Sequence, residues 1–186
     1  GECNLSNYID VINFQECLYP DNYNKMRCLE NHDQPRICSF VNNRKALENY
    51  TAFLYFLKGT TLLYAGQEFC CDHVPSLFER EVFPRDPQKD ISHWFSKLNR
   101  IKKELLSRED TILSTADDAN DIAIVERSDN AVRKLGIFSL KGKTATVPVT
   151  IPDGTYENHL DGTMVTVSDG TLLCSGKPMI LTMSMK

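Results

Sequence analysis

The stretch Met26–Arg36, MRCLENHDQPR, decides how the rest of the chain is read. Apolar Met26 and Leu29 suit a buried strand. Glu30, Asn31, His32 and Asp33 follow at once, four hydrogen-bonding or ionisable side chains for which a core has little use. Pro35 stops any continuing strand or helix. A strand that ends in such a cluster is how a parallel β/α barrel builds its active face. The alternative is a polar loop closed by an Asx turn at Asn31 or Asp33.

Downstream, Ala46, Leu47, Tyr50, Phe53, Leu54 and Leu57 form one apolar stripe, which predicts a helix over Arg44–Lys58 with Gly59 as its C-terminal cap. Asn49-Tyr50-Thr51 matches a glycosylation acceptor, but a mid-helix place makes it a chance match. Thr60–Ala65 (TTLLYA) reads as a second strand buried on both faces, followed by small and polar Gly66-Gln67-Glu68. Residues 70–90, rich in proline and charge, read as a loop long enough to pass over an active face. Asp90 is placed to cap a further helix with the stripe Ile91, Trp94, Phe95, Leu98, Ile101 and Leu105. Lys102 and Lys103 lie near its C-terminal end, where the helix dipole favours cations. Upstream, Tyr8, Ile9, Val11, Ile12 and Phe14 fit a short helix, and Tyr19–Tyr23 is turn chemistry. Residues 26–107 thus read strand, helix, strand, helix, the alternation of parallel sheets and barrels.

Near Asp110 the pattern changes. Seven short β runs follow, around residues 122–126, 134–140, 144–150, 156–160, 164–167, 171–174 and 179–183. Asp153-Gly154, Asp161-Gly162 and Asp169-Gly170 are among the turns between them, which predicts an antiparallel sandwich or barrel. The expected domains are therefore 1–109, α/β, and 110–186, all-β.

Composition narrows the function. The chain has 186 residues, 41% hydrophobic and 25% charged, with a net charge of −4. Mild acidity leaves no basic footprint for nucleic acid, and no apolar run approaches the ~20 residues of a membrane span. Seven cysteines, an odd number without a C-x-x-C pair, read as reduced, partly buried thiols rather than a disulfide framework or zinc site. Cys70, Cys71, Asp72 and His73 could be imagined as metal ligands, but neighbours in sequence point in different directions. No metal site is expected within the chain. The compartment is left open.

With ENHDQPR, LLYAGQE some thirty residues later and a β domain behind them, the chain resembles the α-amylase family of glycoside hydrolases. In that family the seventh strand of a (β/α)8 barrel ends in N-H-D, matched here by Asn31-His32-Asp33. The eighth resembles Y-x-G-x-E, matched by Tyr64 to Glu68. An all-β domain then follows the barrel, and TYENHLDGT and VSDGTLL also look like that family's tail. The resemblance implies a partial TIM barrel, its last two β/α units, followed by an antiparallel β-sandwich.

It also implies roles. Asp33 would be the aspartate that stabilises the transition state by holding hydroxyls of the sugar at the cleavage subsite, bonds that strengthen as the ring flattens. His32 would contact the same sugar. Asn31, Arg36 and Glu68 occupy matching places and look more like support, with Arg36 able to pair with a carboxylate and fix its geometry. A retaining glycosidase also needs a nucleophile and a general acid roughly 5–5.5 Å apart. The family places these after the fourth and fifth strands, the nucleophile in a G-x-R-x-D-x-x-x-H type segment that is not found here. A whole barrel takes about 250 residues.

The expectation is a C-terminal portion of a larger enzyme acting on α-linked glucose oligosaccharides or polysaccharides, inactive alone, with calcium possible only in the parent. Exposed barrel edges could lead it to self-associate. Three rival readings stay open. The chain could be a carbohydrate-binding module, although the β part offers only Phe138 and Tyr156 as sugar platforms. The β domain could be purely structural, packing on the barrel. Asp33 and Glu68 could also form a self-contained carboxylate pair.

Overall fold

The computed structural model describes residues 4–185; Cys3, one of the seven cysteines, lies outside them. Helix α1 (Leu5–Leu18) comes first, then strand β1 (Met26–Arg27), α2 (Arg44–Phe56), β2 (Thr60–Thr61) and α3 (Ser92–Leu105). Strands β1 and β2 pair in parallel, Met26 opposite Thr60 and Arg27 opposite Thr61. The strand–helix–strand–helix alternation is present.

The strands are shorter and less buried than expected. Met26 is 64% exposed and Leu63 40%, and the run after Thr61 leaves the sheet. The physical reason is local: in a two-stranded sheet each strand has one neighbour, so an apolar run has little to pack against. Helix α2 starts where the stripe predicts, with the Asn43 side chain accepting from Lys45 N at 2.9 Å. Its cap is Leu57 rather than Gly59, which lies two residues further on. The N-cap of α3 is Ile91 rather than Asp90, which lies one residue earlier and accepts from Ser92 N at 2.8 Å. Asn49 is fully buried and donates to Lys45 O and Gly176 O, so the glycosylation match is out of reach in the folded chain.

The C-terminal half is antiparallel, in two four-stranded sheets. One has the order β10 (Met179–Ser184), β5 (Val132–Ser139), β4 (Ile122–Ser128), β3 (Thr111–Asp117). The other runs β6 (Ala145–Pro148), β9 (Thr171–Cys174), β8 (Met164–Ser168), β7 (Gly154–Glu157). Strand β3 is absent from the seven runs read in the sequence. Alternation explains the sandwich: Ile122, Ile124, Leu135 and Ile137 point into an inter-sheet core with Val147, Val167 and Leu172. Each such side chain contributes roughly 1.5–3 kcal/mol on burial.

The opposite face of the first sheet is covered by helices. Ala123, Val125, Phe138 and Ile180 share one apolar cluster with Ile9, Ile12, Phe53, Phe56, Trp94 and Leu98. Gly136 permits the approach, since a Cβ there would lie 2.6 Å from the Phe138 ring and 2.8 Å from that of Phe56. Phe138 is fully buried, while the half-buried Tyr156 gives its hydroxyl hydrogen to Pro152 O at 2.8 Å. Neither stands as a free sugar platform. Asn13 of α1 clamps the edge strand β3, donating to Ser114 O at 2.7 Å and accepting from Ser114 N at 3.0 Å. Among the described residues no helix is long and apolar enough to cross a membrane.

Candidate active site

The candidate site is built on the two loops that leave β1 and β2. Cys28–Arg36 leaves the first and reverses through an Asx turn, in which the Asn31 side chain accepts from Asp33 N at 2.8 Å. The Asx turn offered as the alternative reading of this stretch is therefore present, at the polar exit of a strand. Gln34 N adds a backbone bond to Asn31 O at 3.3 Å. The turn lifts His32 and Asp33 onto the surface, with His32 Nε2 3.2 Å from Asp33 Oδ2 and side-chain exposures of 59% and 69%. A contact so open to water contributes little stability, which leaves both side chains free for a ligand.

Beneath the turn lies a pillar that the sequence reading half found. Arg36 does pair with a carboxylate, and the partner is Glu30: Nη1 reaches Glu30 Oε1 at 2.6 Å, with both side chains fully buried. Glu30 Oε2 also accepts from Ile37 N at 2.8 Å. Arg36 donates further, to Ala65 O at 2.9 Å and His73 O at 3.0 Å, and its guanidinium lies over the rings of Tyr64 and Phe83. One arginine thus ties the loop after β1 to the loop after β2 and to the 70–90 excursion. Arg36 presents no surface to a sugar and acts by positioning. Glu30 was missed as a member of the site. Opposite charges at Glu30 and Arg36, bracketing a polar turn, are the signal that could have found it.

The second loop is equally constrained. Gly66 adopts φ +91°, and a Cβ there would come within 2.9 Å of Cys71 Sγ and 3.1 Å of the Phe83 ring. Its N–H donates to Glu68 Oε2 at 2.9 Å, while Glu68 O accepts from Ile91 N at 2.8 Å. Half-buried Glu68 is therefore a structural acceptor that joins the loop to the start of α3. The structure brings Asn31, His32 and Asp33 together in one turn, places Arg36 under it, and turns Glu68 toward its own loop. Among the described residues no three His, Cys, Asp or Glu side chains gather closely enough to hold a metal ion, Cys70 to His73 included.

Comparison with known proteins agrees with this architecture. Residues 2–134 match the family model of the α-amylase catalytic domain, and residues 114–181 that of the bacterial α-amylase C-terminal domain. Alpha-amylase 1 of Schwanniomyces occidentalis is 25% identical over 137 residues, 70% of this chain and 27% of that protein. The crystal structure of an α-amylase from Lactobacillus plantarum superposes with a TM-score of 0.83 at 29% identity, over 95% of this chain and 42% of that one. An α-amylase from Geobacillus thermoleovorans, solved in complex with acarbose, shares the fold at a TM-score of 0.78 and 18% identity, over 99% of this chain and 44% of that one. The chain spans under half the length of each of these relatives. It belongs to the α-amylase family of glycoside hydrolases, carrying part of the α/β catalytic domain followed by the antiparallel β-sheet C-terminal domain.

Proposed function

We propose that this chain serves as the C-terminal part of a retaining enzyme acting on α-linked glucose chains, and that it contributes one acidic residue, Asp33, to the catalytic centre. The observation that carries this reading is the Asx turn over the Glu30–Arg36 pillar, which holds Asp33 and His32 exposed at the end of β1. Asp33 accepts hydrogen bonds from sugar hydroxyls, and these shorten as the ring flattens and positive charge develops at the anomeric carbon. His32 contacts the same sugar beside it. Asn31, Arg36, Glu30 and Glu68 keep the two loops in place. The nucleophile and the general acid come from residues outside these 186, so the isolated chain does not turn over. The all-β part, taken as residues 110–186, covers the helices and supports folding. The acarbose bound by the Geobacillus relative, an α-glucan-type ligand, supports the substrate class.

The test has two parts. In the enzyme that contains this chain, Asp33→Asn lowers kcat on a maltooligosaccharide by about 10²–10³-fold, the scale on which loss of one transition-state hydrogen bond is felt. The isolated chain releases no reducing sugar from the same substrate. Turnover by the isolated chain that Asp33→Asn abolishes would overturn the reading and revive the self-contained carboxylate pair.

A further inference from the structure

A second concave region lies at the other end of strand β2. The loops of the candidate active site leave the C-terminal ends of β1 and β2, whereas a cleft of about 380 Å³ opens where residues 57–61 enter β2 and where α3 ends. Five cationic side chains line it, Lys58, Lys102, Lys103, Arg108 and Arg127, and no acid lines it among the described residues. The carboxylates that serve two of these cations are already committed: Glu16 lies 3.6 Å from Lys58, and Asp110 3.0 Å from Arg127. Lys103 and Arg108, both exposed, have no hydrogen bond or ion pair among the described residues. Lys102 is half-buried, and its ammonium donates to Tyr55 O and Leu57 O, both at 2.9 Å, at the C-terminal end of α2. An ammonium has three donors, and the third has no partner among the described residues. In the same cleft the Thr61 hydroxyl is buried without a hydrogen-bond partner among the described residues. A buried polar group left so is costly.

We infer that this cleft binds a small tetrahedral oxyanion of the phosphate or sulfate class, held by the Lys102 ammonium and the Thr61 hydroxyl, with Lys103 and Arg108 at the rim. Such an anion is all acceptor, so it can take both open donors at once, and bonds to a charged acceptor are stronger than neutral ones. Arg127 has partners for each of its nitrogens and contributes through its charge alone. The positive field leaves a mark on Lys102: burial, with the charges of Arg127 and Arg27 acting on it, pulls its pKa down to about 7. A bound anion relieves that repulsion, whereas a neutral ligand would leave it in place. The plainer reading makes Lys102 a cap of α2, set where the helix dipole favours a cation, with the other cations solvated. That reading accounts for the two carbonyl bonds but leaves the third donor of Lys102 and the Thr61 hydroxyl unmatched. The cleft lies away from the exposed His32–Asp33 turn, and the inference does not rest on the glycan reading.

The experiment uses the whole 186-residue chain. Isotope-labelled protein is titrated with sodium sulfate while sodium chloride is lowered to hold the ionic strength constant, and its amide and lysine side-chain resonances are followed. Sulfate keeps its charge through the neutral range, so any proton taken up on binding belongs to the protein. The expected result is a saturable, one-to-one shift of the Thr61 and Lys102 amides. The Lys102 pKa, read from its Cε resonance, should rise from about 7 toward the ordinary lysine value. Thr61→Val, which keeps the side chain's shape, should weaken sulfate about tenfold, the loss of one hydrogen bond to a charged acceptor. Lys102→Gln should weaken it further, and Lys103→Gln with Arg108→Gln less. The inference falls if no cleft resonance shifts saturably, if sulfate leaves the Lys102 pKa where it was, or if Thr61→Val or Lys102→Gln binds as tightly as wild type. Lys102→Gln also removes a cap of α2; where it fails to fold, Thr61→Val and the wild-type Lys102 titration decide.

Discussion

Two buried ion clusters organise the molecule, and they are built differently. Where the exit of α3 meets the β-sandwich, Asp110 takes Arg127 Nε at 3.0 Å and Lys134 Nζ at 2.7 Å. The other Arg127 nitrogens go to the carbonyls of Phe56 and Ser107, and Lys134 also reaches Asp129 at 2.7 Å. Each of the three guanidinium nitrogens of Arg127 thereby has a partner. Burial pulls the Arg127 pKa below the usual arginine value, with Asp110 opposing, yet a guanidinium stays charged at any ordinary pH. Beneath the candidate site, Glu30 and Arg36 are just as buried, but Arg36 Nη2 has no partner among the described residues. A buried donor left unmatched costs roughly 1–3 kcal/mol. The junction cluster is closed and serves as a lock between helices and sheets. The site cluster spends its bonds on the backbone of three segments and tolerates an open valence, the pattern expected where function competes with stability.

The largest effect should come from breaking the lock. Asp110→Asn leaves the buried Arg127 with no carboxylate beside it and Lys134 with Asp129 alone, and a guanidinium cannot shed its charge at any ordinary pH. The expected cost is about 3–5 kcal/mol, read as a fall in the urea midpoint of the 186-residue chain. Arg36→Met should cost less, about 2–4 kcal/mol, because the stranded Glu30 can take up a proton while Arg127 cannot. Pairing it with Glu30→Gln should recover part of the loss, so that the double variant is more stable than the sum of the singles. If Arg36→Met proves the more damaging of the two, the site cluster is the true lock and the comparison is reversed.

The same contrast shows what could be read from sequence. Helices α2 and α3 were legible because their apolar stripes are local features. The sandwich was legible from alternation and Asp-Gly turns, and the His32–Asp33 turn from its crowding of polar groups. Strand β3 was not legible. Ser114 and Asp117 blur its alternation, and it is held by Asn13 from a hundred residues away. Met26 and Leu63 read as buried because burial was inferred from their own apolarity, when it depends on the number of neighbouring strands. The Glu30–Arg36 pair was visible as charges but not as partners, since only the folded turn brings them together.

The smallest effect tests how far the lock extends. Lys134 is shared between Asp110, fully buried, and Asp129, which lies on the surface. The bond from Lys134 and those from the backbone N–H groups of Ala131 and Val132 pull the Asp129 pKa down to about 2. A carboxyl whose pKa is lower folded than unfolded stabilises the fold above the unfolded value, near ~4, and loses that contribution as pH falls toward 2. Asp129→Asn should therefore lower the urea midpoint slightly at pH 6, and its difference from wild type should shrink steadily between about pH 4 and pH 2. A pH-independent difference would mean that Asp129 acts only as a turn residue. The lock would then end at the Asp110–Lys134 bond, with the second ion pair of Lys134 adding no stability of its own.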